Sequence, residues 1–195
     1  MQTPNNTTII GICGKKFHGK DTVANYLVKN YGFTKISLGD PLKNAMKNIF
    51  CFDDEQLWGN SKEVVDKYWS VTPREMMQFI GTDLLRNEMQ KKYPQIGDKL
   101  WIMSIERYID GMISKNITKI IIPDLRFPNE EVLIRKYNGK IIRVIRDELI
   151  DVIKDAHISE NSSFDIKDDY VIHNNNLTHT YEQCENIYLD IAKNL

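Results

Sequence analysis

The residues equipped for chemistry begin at Gly14-Lys15-Lys16-Phe17-His18-Gly19-Lys20-Asp21-Thr22, directly after the β-branched run Thr8-Ile9-Ile10-Gly11-Ile12-Cys13. Gly14 and Gly19 admit backbone angles closed to other residues. Successive N–H groups between them, those of Lys15, Lys16 and His18 included, can therefore turn toward phosphate oxygens. Lys20 adds a mobile positive charge beside the terminal phosphates, and Thr22 lies at a helix start whose N–H groups and dipole favour the same anion. A strand before the loop and an amphipathic helix after it (Val23, Tyr26, Leu27, Tyr31) supply the context that such a loop needs, and the ligand they imply is a nucleoside triphosphate. The position after the lysine commonly carries Ser or Thr, whose hydroxyl ligates magnesium. Here Asp21 takes that place. Metal ligation then falls to Asp21 itself or to a carboxylate elsewhere, together with water and substrate phosphates.

Other groups stand at strand and helix ends. Ile120-Ile121-Ile122-Pro123-Asp124 is an apolar run ending in an acid, which would sit near magnesium and the attacking group, and Arg126 can meet phosphate with a planar fork. A helix cap at Asp124 with Arg126 as its ion-pair partner is the structural alternative. Arg143 and Arg146 are offset by three residues at the end of another apolar run, so alternation sends them to opposite faces. Arg146, nearer the edge, is the candidate for stabilising a transferred phosphoryl group. Asp40 suits either a cap of the following helix or a carboxylate facing a cleft. Arg74 is a cation at a helix start, where the dipole disfavours it unless an anion compensates; a bound monophosphate is one such anion, and Gln78 lies one turn on. Trp58, Tyr68, Trp69 and Phe79 offer either core packing or a stacking surface for a base. His157 is read first as a hydrogen-bonded structural residue, with a contact to phosphate or base as the alternative.

The elements that must position these groups follow from periodicity. Short apolar runs at 8–13, 34–38, 119–123, 140–145 and 169–172 alternate with helix-period segments at 22–31, 41–50, 73–93, 98–115, 129–137 and 180–192. Such alternation predicts a parallel sheet of five strands covered on both faces, a three-layer α/β/α domain. The stretch between the second and third strands runs to about eighty residues, far beyond a simple crossover. We expect a single domain over 1–195, with a core of about 7–40 and 117–195, a helical acceptor-binding insertion of about 41–116, and either a lid or a plain surface loop at 147–168.

Composition bounds the partners. With 26 basic and 27 acidic residues the net charge is −1, which provides no general field for nucleic acid or anionic membranes. Three widely spaced cysteines suit packing in a reducing compartment, and no apolar stretch resembles a signal or a membrane span. A cytoplasmic protein is expected. Its oligomeric state is open, a homodimer being admissible.

Taken together, Gly14 to Thr22, Gly39-Asp40-Pro41-Leu42-Lys43, Pro73-Arg74-Glu75 with Gly81-Thr82-Asp83, Asp124 to Glu130 and His157-Ile158-Ser159-Glu160 resemble the deoxynucleoside monophosphate kinases of bacteriophages and large DNA viruses. The Lys20-Asp21-Thr22 order also resembles adenylate-kinase-like enzymes, in which the Thr serves phosphate oxygens. The resemblance implies a P-loop NTPase fold with an inserted monophosphate-binding region. It also implies transfer of the ATP γ-phosphoryl group to a deoxynucleoside monophosphate with Mg2+, in the host cytoplasm if the chain is viral. On that resemblance Gly14, Lys15, Lys16, His18, Gly19, Lys20, Asp21 and Thr22 would hold ATP. Asp40, Lys43, Arg74, Gln78, Asp124 and Arg126 would hold the acceptor; Lys20, Arg126 and Arg146 would be catalytic; Asp124 or Asp21 would meet the metal. The lid expected of such enzymes carries arginines, and 147–168 has none. The rival expectations are a kinase of another small phosphorylated acceptor, of the phosphomevalonate or dephospho-coenzyme A type, and a regulatory protein that binds ATP without transferring phosphate.

Overall fold

The computed structural model describes residues 7–96, 99–149 and 165–193. Five strands form one parallel sheet in the order β2-β3-β1-β4-β5: β1 Thr8–Cys13, β2 Thr34–Lys35, β3 Lys119–Leu125, β4 Lys140–Ile145 and β5 Tyr170–His173. Every residue of β1 is buried, as an apolar strand with neighbours on both edges and helices on both faces requires.

Helix α1 (Lys20–Tyr31) and the last helix of the chain, α8 (Leu177–Lys193), cover one face. There Val23, Ala24, Leu27, Cys184, Ile187 and Ile191 pack on Ile10, Ile12, Ile121, Ile142, Val144 and Ile172. Helix α7 (Pro128–Lys136) takes the other face, where a Cβ on Gly11 would press on Leu125 and Ile134.

Contacts divide the chain into two compact units, residues up to Ser37 together with those from Glu106 onward, and Leu38–Ile105. The boundaries drawn from sequence lay at 40/41 and 116/117. Residues 106–113 join the sheet unit because Tyr137 donates its hydroxyl to Asp110 at 2.7 Å and Lys136 pairs with Glu106. The second unit contains α2 (Asp40–Phe50), α3 (Asp54–Leu57), α4 (Pro73–Gln78) and α5 (Met89–Lys92) around a core of Met46, Phe52 and Leu57. Helix α6 is Leu100–Ile113.

Three local expectations are corrected. The second strand shrinks to Thr34–Lys35, which frees Ser37 from the sheet ladder. The helix expected over 73–93 is α-helical only at its ends; Phe79–Glu88 widens into a π-helical stretch beginning beside Gly81, which packs under Leu42 and whose carbonyl accepts from Trp101 Nε1 at 3.2 Å. Asp40 is the first residue of α2 rather than its cap. Among the described residues no helix is long and apolar enough to cross a membrane.

From β1 the chain leaves toward β2 on one side and from its neighbour β4 toward β5 on the other, so the connections diverge at the carboxyl ends of these two strands. Register sets Cys13 opposite Leu125, so Asp124 lies beside the last residues of β1, just before the loop. On the other edge of β1 the main-chain oxygen of Val144 comes so close to Gly14, at φ 142°, that any Cβ there would overlap it. Gly14→Ala should therefore destabilise the fold by at least about 2 kcal/mol, read from urea unfolding. A loss near zero would show that β1 and β4 can spread apart at this point.

Candidate active site

The loop from Gly14 to Gly19 belongs to neither sheet nor helix, and its shape is imposed from outside. Gly19 lies at φ 91° and precedes the first turn of α1. A side chain there would strike the amide of Asn174, a buried residue just beyond β5. Asn174 Nδ2 donates to the main-chain oxygen of His18 at 2.9 Å, its Oδ1 accepts from Thr180 Oγ1 at 3.0 Å, and its own N–H donates to Ile145 O at 2.7 Å. Asn174 and Thr180 thus hold the loop. No local signal in the sequence points to them, since Asn174 and His18 stand 156 residues apart.

Within the loop, Lys20 Nζ donates to Gly14 O at 2.6 Å and to Lys15 O at 2.8 Å. The ammonium therefore rests over the loop it would serve, on carbonyls that a phosphate can replace. Lys16 is exposed, its Nζ 4.9 Å from the centroid of the Phe17 ring. The His18 N–H donates to Lys15 O at 3.3 Å. Thr22 is half-buried at the start of α1. Asp21 points away: its exposed carboxylate pairs with Lys35 at 2.6 Å.

At the end of β3, the half-buried Asp124 accepts from Ser37 Oγ at 2.5 Å. Ser37 went unnoticed in the sequence because it lay in what read as strand. Beyond it Arg126 is exposed, and the turn that carries it is held by Glu130, whose Oε2 accepts from the N–H of Arg126 at 2.5 Å and of Phe127 at 3.0 Å. Burial pushes the Glu130 carboxyl up to about 7, with the charge of Asp124 adding to the rise against the pull of these two N–H groups and of Arg126.

Arg143 and Arg146 differ in their partners. Arg143 Nε pairs with Asp168 at 2.6 Å and its Nη2 donates to Ile166 O at 2.5 Å, a largely buried link between β4 and the chain leading into β5. Arg146 follows the last residue of β4 and gives its N–H to His18 Nδ1. Of the possible lid, 150–164 with His157 lies outside the described residues.

In the second unit, Asp40 accepts from Trp58 Nε1 at 2.9 Å while Lys43 Nζ lies 5.5 Å from the centroid of the same indole ring. These two candidate acceptor residues and an aromatic ring thus form one cluster. Arg74 pairs through Nε with Glu63, so the anion that compensates a cation at this helix start is present in the chain itself. Gln78 is exposed at the end of α4. A turn built on Asp66, whose Oδ1 accepts from Tyr68 and Trp69 N–H, displays Tyr68 at 84% exposure edge-on to Trp69.

Magnesium is the metal such a site implies. Among the described residues no group of three or more His, Cys, Asp or Glu could hold a metal ion. Mg2+ in nucleotide enzymes needs no such cage, since one or two carboxylates suffice when phosphate oxygens and waters complete the octahedron. Asp124, half-buried with a hydroxyl beside it, fits that demand. Asp21, turned out to Lys35, does not.

Comparisons with known proteins agree with one another. A family model described as deoxynucleotide monophosphate kinase matches residues 8–58 and 55–184. A protein of Acanthamoeba polyphaga mimivirus, provisionally named a deoxynucleotide monophosphate kinase, is 34% identical over 90% of this chain and 93% of its own. The deoxynucleoside-5'-monophosphate kinase of Escherichia phage T5 is 28% identical over 70% of this chain and 51% of its own. Among solved structures, the dephospho-CoA kinase from Campylobacter jejuni superposes with a TM-score of 0.52, covering 94% of this chain and 97% of that one. At 15% identity it carries the fold alone.

Two outcomes follow from these partners. Because the folded chain holds the Glu130 proton more tightly than the unfolded chain, whose value is near 4.5, the stabilisation is full below 4.5 and is lost as pH rises through about 7. Glu130→Gln cannot ionise, so it should escape that decline, on the order of 3 kcal/mol, in urea unfolding between pH 5 and 8. Equal declines in both proteins would clear Glu130 as the source. Arg143→Ala should lower the melting temperature with little change in turnover per folded molecule, since Asp168 would lose its partner. A large fall in turnover with unaltered melting would instead bring Arg143 into the chemistry.

Proposed function

The chain belongs to the deoxynucleotide monophosphate kinase family, and from that membership we infer that it transfers the γ-phosphoryl group of ATP to a deoxynucleoside monophosphate, yielding ADP and a deoxynucleoside diphosphate. One observation carries the inference: the family match runs from β1 to α8 and takes in the phosphate loop, with Lys20 poised on its carbonyls. In the reaction an oxygen of the acceptor phosphate forms a bond to Pγ, and the bond from Pγ to the β,γ-bridging oxygen breaks, its electrons leaving with ADP. The acceptor is already ionised at neutral pH, so positioning and charge stabilisation suffice and no strong general base is needed.

Lys20 exchanges the carbonyls of Gly14 and Lys15 for the β- and γ-phosphates, and Gly14, Lys15, Lys16, Gly19 and Thr22 frame the rest of the chain of phosphates. Asp124, steadied by Ser37, is the carboxylate that would hold magnesium. When bound, the ion neutralises charge on the β- and γ-phosphate oxygens. Arg126 and Arg146 meet the charge that spreads over the migrating group. Arg74 and Gln78 take the acceptor phosphate, Arg74 releasing Glu63 to do so; an exposed ion pair of this kind costs little to break. The cluster of Asp40, Lys43 and Trp58 suits the nucleoside end of the acceptor, where an indole face and a carboxylate can meet a base and its amino groups.

A coupled ADP-release assay across the common ribo- and deoxynucleoside monophosphates tests the inference, with Lys20→Ala as the control. Turnover with at least one deoxynucleoside monophosphate, abolished by that substitution, is expected; folded protein that phosphorylates none refutes it. Arg126→Ala should lower kcat about a hundredfold or more while ATP affinity changes by less than about threefold. Matching losses in both would make Arg126 a ground-state ligand of ATP.

A further inference from the structure

His18 belongs to the phosphate loop, yet the residue is buried, at 3% exposure. Its own N–H is directed to the main-chain oxygen of Lys15. The ring instead reaches the end of β4, where Nδ1 lies 3.3 Å from the main-chain oxygen of Val144 and 3.3 Å from the N–H of Arg146. These two contacts suit different forms of the ring. With the proton on Nε2, Nδ1 accepts from Arg146; with a proton on Nδ1, it donates to Val144. Either way the loop is tied to the two residues that flank Ile145, while Asn174 clamps the His18 carbonyl from the side of β5.

We propose that His18 is a positioning residue for phosphoryl transfer: its imidazole ties the phosphate loop to the main chain that carries Arg146, so that Lys20 and Arg146 keep one mutual geometry. The proposal rests on the kinase function inferred above and on the part Arg146 plays in it. Such a tie matters because a misplacement of about 1 Å in a phosphoryl-transfer site can cost on the order of a hundredfold in rate. It also accounts for a polar ring buried in a segment whose neighbours Lys16 and Phe17 are exposed. Packing alone would be served equally well by an apolar side chain.

The atom engaged permits a sharp test. An Asn at position 18 places an amide oxygen or nitrogen two bonds from Cβ, where Nδ1 stands, and by rotating the amide it satisfies either Arg146 or Val144. A Gln places the same atoms one bond further, near Nε2. Full-length His18→Asn, His18→Gln, His18→Ala, Arg146→Ala and the double variant His18→Ala with Arg146→Ala are assayed with ATP and deoxynucleoside monophosphates, and amide exchange at Arg146 is followed by NMR. His18→Ala and His18→Gln should lower kcat about tenfold with KM for ATP within about threefold, whereas His18→Asn should stay within about threefold of the unaltered enzyme. In the Arg146→Ala background, loss of His18 should add little, because both changes remove the same contribution. The Arg146 amide should exchange about tenfold faster in the Ala and Gln variants and not in the Asn variant.

Equal behaviour of Asn and Gln, or fully multiplicative effects in the double variant, would overturn the proposal. If the unaltered protein phosphorylates no monophosphate, the kinase inference falls, and the catalytic half of this proposal with it. The exchange measurement still decides the tie itself: an Arg146 amide indifferent to all three His18 substitutions removes it.

Discussion

A triphosphate concentrates negative charge that can be met only by donors left unspent elsewhere, and a backbone whose N–H groups are unspent has no ladder or helix to hold it in shape. The loop from Gly14 to Gly19 lives under this constraint. What holds it is the approach of other chain segments: Val144 O against Gly14, the His18 ring against the end of β4, and Asn174 against both Gly19 and the His18 carbonyl. Each contact requires β4 and β5 to lie in order on one side of β1, with β3 on the other. The buried Ile-rich sheet is thus the instrument that shapes a polar loop, and the two glycines are sites where a Cβ would collide with that instrument.

The cations share a second property. Lys20 rests on two loop carbonyls and Arg74 on Glu63. The Arg74 pair is exposed and contributes about 0–1 kcal/mol, and the partners of Lys20 are neutral carbonyls, weaker acceptors for an ammonium than an anion would be. Arg143 is different in kind. Its guanidinium is largely withdrawn from water and bound to Asp168 and Ile166, so releasing it would leave a half-buried carboxylate without its partner. Arg143 on β4 is thus tied into the sheet unit, while Arg146, one residue past the strand, gives its N–H to His18.

The carboxylates divide in the same manner. Asp21 follows the loop lysine directly, and yet it turns outward to Lys35 on β2. Asp124, about a hundred residues later, stands beside the last residues of β1 because β3 pairs with β1 in parallel, with a shift of register between Gly11 and Cys13. Glu130 is buried behind it and shapes the turn through two N–H groups. A sequence pattern announces an acid at a strand end; it does not say which acid the sheet will bring to the loop.

The amino-acid sequence by itself determined the strand, the glycine-hinged loop and the helix that follows, the alternation that makes a parallel sheet, and the family resemblance, because these depend on burial periodicity and on backbone angles that only glycine adopts freely. Only the tertiary structure decided that Asn174, Thr180 and Ser37 matter, that His18 faces inward, that Glu63 rather than a ligand already answers Arg74, and that Phe79–Glu88 widens beside Trp101. The reason is physical. Local pattern encodes conformation within a few residues, whereas the partner of a side chain is set by which distant strand or helix is laid beside it, and that is a property of the whole packed chain.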